Sequence, residues 1–417
     1  MEEKILIIYG AGADLNLFLK KYSFDKHIEA IIDADTNKVG TNIHGIKVFG
    51  REYLNNLRQG ERVYISSSRY YDEILAYINI NYPDIVALKI SDLLCFNHNE
   101  NKVSKVLYNR ATSERKVYEE FKDDYVKYDE IFFERYNKLT SGLDSDSVDT
   151  VNTILKRLAL LFSSDKAELD IWSSIEIDEL KKIQEKLYDK ILEINKNLFV
   201  YKEFRLPKKY FDNGIYYYYY GIPALKNINK AFSGDVIDCG AFIGDSSLLF
   251  SKYTSSQVYA IEAQKENIDL INQTIDINSV KNIVPINIGV SDAPGTAIIY
   301  ENDNSNLGTF YPYSGREYGE SISVEIDTID SIVEQYKMRP SFIKADIEGS
   351  ETAMLKGAIG TLKKYRPTMV ICLHHTSTDF WEIKPFVESL DLGYKFKIFK
   401  KTDGNILTGT WLIAEVD

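Results

Sequence analysis

The stretch VIDCGAFIGDSS (236–247) carries an apolar run into Asp238, places glycines at 240 and 244, and then offers Ser246 to help open a helix. Glycine is needed where the backbone turns sharply and a ligand must approach closely, and the helix N-terminus beyond presents free N–H groups. The next apolar run, VYAIEA (258–263), ends in Glu262. That is about twenty residues past the glycine turn, where a doubly wound nucleotide site places its ribose-binding carboxylate. A third run, IVPINIGVSD (283–292), closes in Gly289, Val290, Ser291 and Asp292. FIKADIEGSE (342–351) brings Asp346, Glu348 and Glu351 to the end of a fourth strand, and MVICLHH (369–375) delivers His374 and His375, two of five histidines in the chain. Short apolar runs alternating with helix-length segments predict an α/β fold with a doubly wound parallel sheet, whose strand ends converge on one crevice.

In combination and order, D-x-G-A-x-x-G-D at 238–245, the Glu-ended strand at 262, V-S-D at 290–292 and D-I-E-G-S-E at 346–351 followed by L-K-G-A at 355–358 resemble the FkbM-type S-adenosylmethionine-dependent methyltransferases. The resemblance spans about 206–417. It implies a class I methyltransferase fold, S-adenosylmethionine as cofactor, and methyl transfer to an oxygen of a sugar or other hydroxylated metabolite. By the same resemblance Asp238, Gly240 and Gly244, with Asp245 and Ser246, would shape the methionine end of the cofactor. Glu262 with Ala263 would bind the ribose, and Gly289, Val290 and Ser291 would frame the adenine. The chemistry agrees, because a carboxylate accepts two ribose hydroxyl protons and a cofactor without a diphosphate has no need of a third glycine.

Methyl transfer needs an acceptor oxygen held in line, and a sugar hydroxyl must lose its proton as the bond forms. His374 is the first choice as base, because imidazole titrates near neutral pH, and Asp346 is the second. Asp292, Asp346, Glu348 and His374 are metal-type donors, but no ligand spacing ties them together and no metal is expected. The insertion at 295–329 reads as a hairpin with a polar loop, so Asn304, Ser305, Asn306 and Tyr313 are candidate acceptor contacts. His375 joins that set.

Tyrosine is unusually frequent, 30 residues against 9 prolines, and five stand together as YYYYY at 216–220. On an extended segment these rings would alternate faces, with Tyr219 and Tyr220 nearest the site as acceptor contacts.

Upstream, KILIIYGAGADLNLFL (4–19) reads as strand, glycine turn and helix, with Gly10 and Gly12 but Leu15 in the third glycine place. Asp33 ends the second apolar run. DADTNKVGTNIHGIKVFG (33–50) resembles small Rossmann-like domains of sugar-modifying enzymes. Residues 1–97 are therefore expected to be a Rossmann-like domain binding a nucleotide or nucleotide sugar, or serving regulation. From 98 to 205 apolar residues recur at helical spacing, including Ile177, Leu180, Ile183, Leu187, Ile191 and Ile194, which predicts a helical connector. The methyltransferase domain follows at 206–417. A nucleotide-sugar oxidoreductase or epimerase centred on the N-terminal domain and a non-catalytic cofactor-binding scaffold are the rival readings.

The 417 residues carry 50 basic and 62 acidic side chains, a formal charge of −12, the wrong sign for a protein that neutralises phosphates. A nucleic-acid partner is not expected. Three dispersed cysteines, 95, 239 and 372, make no disulfide framework, and no run approaches membrane-spanning length. These features point to a cytoplasmic protein acting on a small-molecule or glycan acceptor.

Overall fold

The computed structural model describes residues 6–22, 28–59, 61–90, 114–115, 118–163, 172–302, 305–309 and 318–417. The chain divides into two compact units, Met1–Lys105 and Val106–Asp417.

In the first unit the strands are β1 (Leu6–Tyr9), β2 (Ile28–Ile32), β3 (Asn42–Ile43), β4 (Ile46–Phe49), β5 (Arg62–Ile65) and β6 (Val86–Lys89), in the sheet order β3-β4-β2-β1-β5-β6. All neighbours run parallel except β3 and β4. Ile8 and Ile31 pack in one apolar cluster while their chain neighbours Ile7 and Ile32 pack in another. Alternate residues thus feed cores on opposite faces of the sheet, as the two-residue repeat of a strand requires.

The second unit opens with helices Lys122–Val126, Glu130–Thr140, Ser145–Ser163 and Ser174–Lys186. The helical spacing read as far as Ile194 is not followed that far. The last helix stops at Lys186, and β7 (Leu192–Asn195), β8 (Leu198–Tyr201) and β9 (Phe204–Leu206) form an antiparallel sheet. Between β7 and β8, Asn195 Oδ1 accepts the N–H of Asn197 at 2.9 Å, an Asx turn that reverses the chain.

The main sheet follows. Its strands and those of the insertion are β10 (Asp235–Cys239), β11 (Val258–Glu262), β12 (Ile283–Asn287), β13 (Gly289–Val290), β14 (Gly295–Asn302), β15 (Ser305–Thr309), β16 (Tyr318–Asp327), β17 (Pro340–Ala345), β18 (Thr368–Cys372), β19 (Lys395–Lys400) and β20 (Thr410–Glu415). The seven-stranded order is β12-β11-β10-β17-β18-β20-β19. Only β20 runs against its neighbours. Val236, Ile237, Phe342, Ile343, Val370 and Ile371 are buried, as expected of strands covered by helices on both faces. In the insertion, β14 and β16 pair antiparallel, with β15 and β13 on either side.

The tyrosine run is not extended. Asp212 Oδ1 accepts the N–H of Gly214 at 2.7 Å and caps a helical turn, Asn213–Tyr216, and a kinked turn Tyr219–Ala224 follows. Tyr216 is buried among Tyr201, Phe204 and Phe211. The Tyr217 hydroxyl donates to Glu179 at 2.8 Å.

Candidate active site

The turn after β10 is built on two left-handed glycines, Gly240 (φ +75°) and Gly244 (φ +83°), the second capping the helix Asp245–Phe250. A Cβ on Gly240 would lie 1.9 Å from the carbonyl oxygen of Asp346, so no other residue fits there. The backbone of the turn therefore sits directly against the end of β17.

Asp238 is wholly buried, and its Oδ2 accepts from the hydroxyls of Ser246 (2.7 Å) and Ser247 (2.6 Å). Its Oδ1 pairs with Lys344 Nζ at 3.1 Å, and the same ammonium donates to the carbonyls of Cys239 (3.1 Å) and Gly240 (2.7 Å). Burial works against the lysine's charge, but Asp238 and Asp346 outweigh it and hold its pKa above the usual lysine value. Asp238 and Ser246 thus brace the turn from beneath. Asp245 is buried beside them, and burial pushes its carboxyl up to about 7.

Glu262 is buried at the end of β11, where its Oε2 accepts the N–H of Phe242 (3.0 Å) and its Oε1 that of Gln264 (2.9 Å). Two backbone N–H groups, with the Asn267 side chain beside them, fix the carboxylate at the end of the strand. Asn287 donates to the carbonyls of Glu262 (3.0 Å) and Ala263 (2.8 Å), stapling β12 to that corner. Gly289 and Val290 form β13, and the N–H of Ser291 donates to Asp327 at 2.9 Å. A tight glycine turn beside a fixed carboxylate at the adjoining strand end fits S-adenosylmethionine, which has hydroxyls to donate and no diphosphate.

Asp346, His374 and His375 meet at the ends of β17 and β18. The Asp346 side chain is 36% exposed, the one carboxylate of this group open to solvent, while both histidines are buried. His375 lies between two acids, with Nε2 3.3 Å from Asp346 Oδ1 and Nδ1 2.7 Å from Glu351 Oε1. Burial opposes its charge, but Glu351, Glu348 and Asp346 overcome that and raise its pKa well above the imidazole norm. Burial would also raise Asp346, yet the contact with His375 and the charge of Lys344 outweigh it and hold the carboxyl well below the usual range. His374 departs from expectation: burial and then the charge of His375 push it down to about 3, so it is neutral and weakly basic at pH 7. Groups offering three or more metal-type donors are, among the described residues, Asp346–His374–His375 and Glu351–His375–Asp379. Asp292 belongs to neither.

Tyr220 is a buried brace rather than an exposed platform. Its ring stacks on Trp411 at 4.8 Å and 13°, Lys344 Nζ stands 5.6 Å from it, and its hydroxyl donates to Asp346 Oδ2 at 2.9 Å. Tyr219, Tyr220 and Gly221 are all left-handed, a backbone costing about 1–2 kcal/mol per non-glycine residue, so packing must hold them there. Tyr219 is half-buried against the same core, with Lys202 as a polar neighbour. Ser305 and Asn306 open β15, and their side chains, like Asn304 and Tyr313, lie outside the described residues. Tyr118, part of a Tyr-x-x-x-Lys pair, donates its hydroxyl to the carbonyl of His374 at 2.6 Å.

A seven-stranded sheet in this order, with a glycine turn after β10 and a carboxylate closing β11, is the architecture of a class I S-adenosylmethionine-dependent methyltransferase. Residues 238–396 match the family model of the methyltransferase FkbM domain, and this part of the chain is an S-adenosylmethionine-dependent methyltransferase domain. No curated protein matches the chain. Among solved structures it is similar to methyltransferase FkbM from Methylobacillus flagellatus KT, at 18% identity over 99% of this chain and 90% of that one, with a TM-score of 0.43. It is also similar to Trm5b from Pyrococcus abyssi, at 15% identity over 54% and 56% of the chains with a TM-score of 0.31. For M. jannaschii TYW2 in complex with AdoMet, the values are 16% identity over 54% and 87%, with a TM-score of 0.29.

Proposed function

We propose that the chain methylates a hydroxyl of a sugar, nucleotide sugar or glycan in the cytoplasm. The observation that carries this reading is the placement of an ionised, solvent-reachable carboxylate, Asp346, against the glycine turn, with His374 and His375 beside it. When bound, the cofactor supplies an electrophilic methyl group on a sulfonium.

The turn around Gly240 and Gly244 holds the methionine end, Glu262 the ribose, and the segment 289–291 the adenine. Asp346 accepts the hydrogen bond of the acceptor hydroxyl and takes its proton as the new C–O bond forms. A low carboxyl pKa does not prevent this, because a protonated ether is far more acidic than any carboxylic acid. His374, neutral and buried, serves as a hydrogen-bond acceptor rather than as the main base. Positioning of the oxygen supplies much of the rate.

In the first unit, Gly10 has φ +116° and Asp33 Oδ2 accepts the N–H of Ala11 in the same turn at 2.7 Å. That closed glycine loop supports a nucleotide or nucleotide sugar as its ligand. The charge of −12 argues against nucleic acid. Cys239 and Cys372 are buried free thiols, in keeping with a reducing compartment. Among the described residues no helix is long and apolar enough to cross a membrane.

The test is a screen of nucleotide sugars and glycans with methyl-labelled donor. Label should enter a hydroxylated acceptor. Transfer confined to amines or to nucleic acid would overturn the reading.

A further inference from the structure

Asp346, His374 and His375 each offer one donor atom, and these atoms lie within 4.8 Å of one another. We infer that they form a site for a single divalent transition-metal cation, although the sequence alone suggested no metal. The spacing fits. An ion with bonds of about 2.0–2.1 Å to its ligands in tetrahedral geometry separates them by roughly 3.3–3.4 Å. His375 Nε2 and Asp346 Oδ1 are 3.3 Å apart, longer than the roughly 2.7–2.9 Å of a charge-assisted hydrogen bond.

The surroundings of the three groups carry the inference further. Metal-binding imidazoles characteristically give their other ring N–H to a carboxylate or carbonyl, which fixes the ring and frees the ligating nitrogen. Nδ1 of His375 faces Glu351 Oε1 at 2.7 Å, and Glu351 is itself anchored by the N–H groups of Ile347 (2.8 Å) and Gly349 (3.0 Å). Nδ1 of His374 faces the carbonyl of Thr410 at 3.4 Å. The remaining oxygen of Asp346 is held by the Tyr220 hydroxyl. His375 and Asp346 thus have a close outer partner in place, and His374 faces its carbonyl at a longer distance. Glu348, 3.9 Å from His375 Nε2, adds negative charge at the rim.

Two imidazoles and one carboxylate favour zinc, iron, manganese or cobalt over magnesium or calcium. Three protein ligands leave a coordination position open, as catalytic sites do. On the methyl-transfer reading, the ion takes the acceptor's hydroxyl oxygen at that position and lowers its pKa, in place of a direct contact of that hydroxyl with Asp346.

The experiment uses the full chain after chelator treatment, titrated with Zn2+ by calorimetry and with Co2+ by visible absorption. One equivalent should bind, with cobalt d–d bands. His374→Ala and His375→Ala should each weaken binding at least tenfold, and Glu351→Gln by about 10–100-fold. Retained S-adenosylmethionine binding in each variant shows that it has folded. Absence of saturable binding to the unaltered chain, or undiminished binding in both histidine variants, overturns the site. If the chain binds S-adenosylmethionine but no metal, only the ion is lost. If it binds metal but not S-adenosylmethionine, the methyl-transfer reading falls and the ion site stands.

Discussion

The hydroxyl of Tyr220 donates to Asp346 Oδ2 at 2.9 Å across 126 residues of sequence, from a ring stacked on Trp411. The most accessible carboxylate of the site is therefore oriented by a segment outside the main sheet. Tyr220→Phe keeps the stack and removes the donor. A lost hydrogen bond to a charged group costs about 1.5–3 kcal/mol, so the denaturant midpoint should fall accordingly. An unchanged midpoint would show that this bond holds nothing in place.

Lys344 and Asp238 are both buried, and each neutralises the other. Lys344→Met leaves the carboxylate without its cation and should cost about 3–5 kcal/mol, enough to threaten folding. Asp238→Asn combined with Lys344→Met should cost clearly less than the sum of the two single changes, because the second removes the orphan left by the first. Chemical denaturation of the four forms measures the coupling, and strict additivity would refute it.

The strands carrying the site were legible because strands covered on both faces are near-continuous apolar runs, and VID (236–238), VYAIE (258–262) and FIKAD (342–346) end in the residues that matter. Lys344 could have been found as well. A lysine inside such a run signals a buried partner, and Asp238 is the acid in the neighbouring run. The link from Tyr220 to Asp346 leaves no local pattern, since it joins segments far apart in sequence. Reading YYYYY as extended failed for a short-range reason, the cap from Asp212 to Gly214. His374 looked like the base because an isolated imidazole titrates near neutrality. Burial beside His375, a tertiary effect, removes that property.

Glu262 is held by two backbone N–H groups, so its carboxylate is set before binding. On the proposed reading, Glu262→Ala deletes the acceptor for both ribose hydroxyls. At about 1.5–3 kcal/mol for each bond to a charged group, S-adenosylmethionine affinity should drop by roughly a hundredfold or more. Calorimetry reads this directly, and unchanged affinity would remove Glu262 from the cofactor site.

The first unit should lose stability in acid through Asp33. Burial raises its pKa, but the N–H groups of Asp35 and Ala11 and the ammonium of Lys38 outweigh that and bring it below the usual value. A carboxyl with a depressed folded pKa stabilises the fold above its unfolded pKa of about 3.9, and this contribution fades as pH falls through the lower folded value. Between neutrality and pH 5 it should be constant. All three tryptophans, 172, 381 and 411, belong to the second unit, so their fluorescence does not report on the first. Hydrogen exchange of peptides spanning residues 6–12 does. Their protection should begin to fall below about pH 4 in the unaltered chain. In Asp33→Asn, protection should be lower at pH 7 and depend less on acid. Equal acid sensitivity in the two forms would assign the effect to another group.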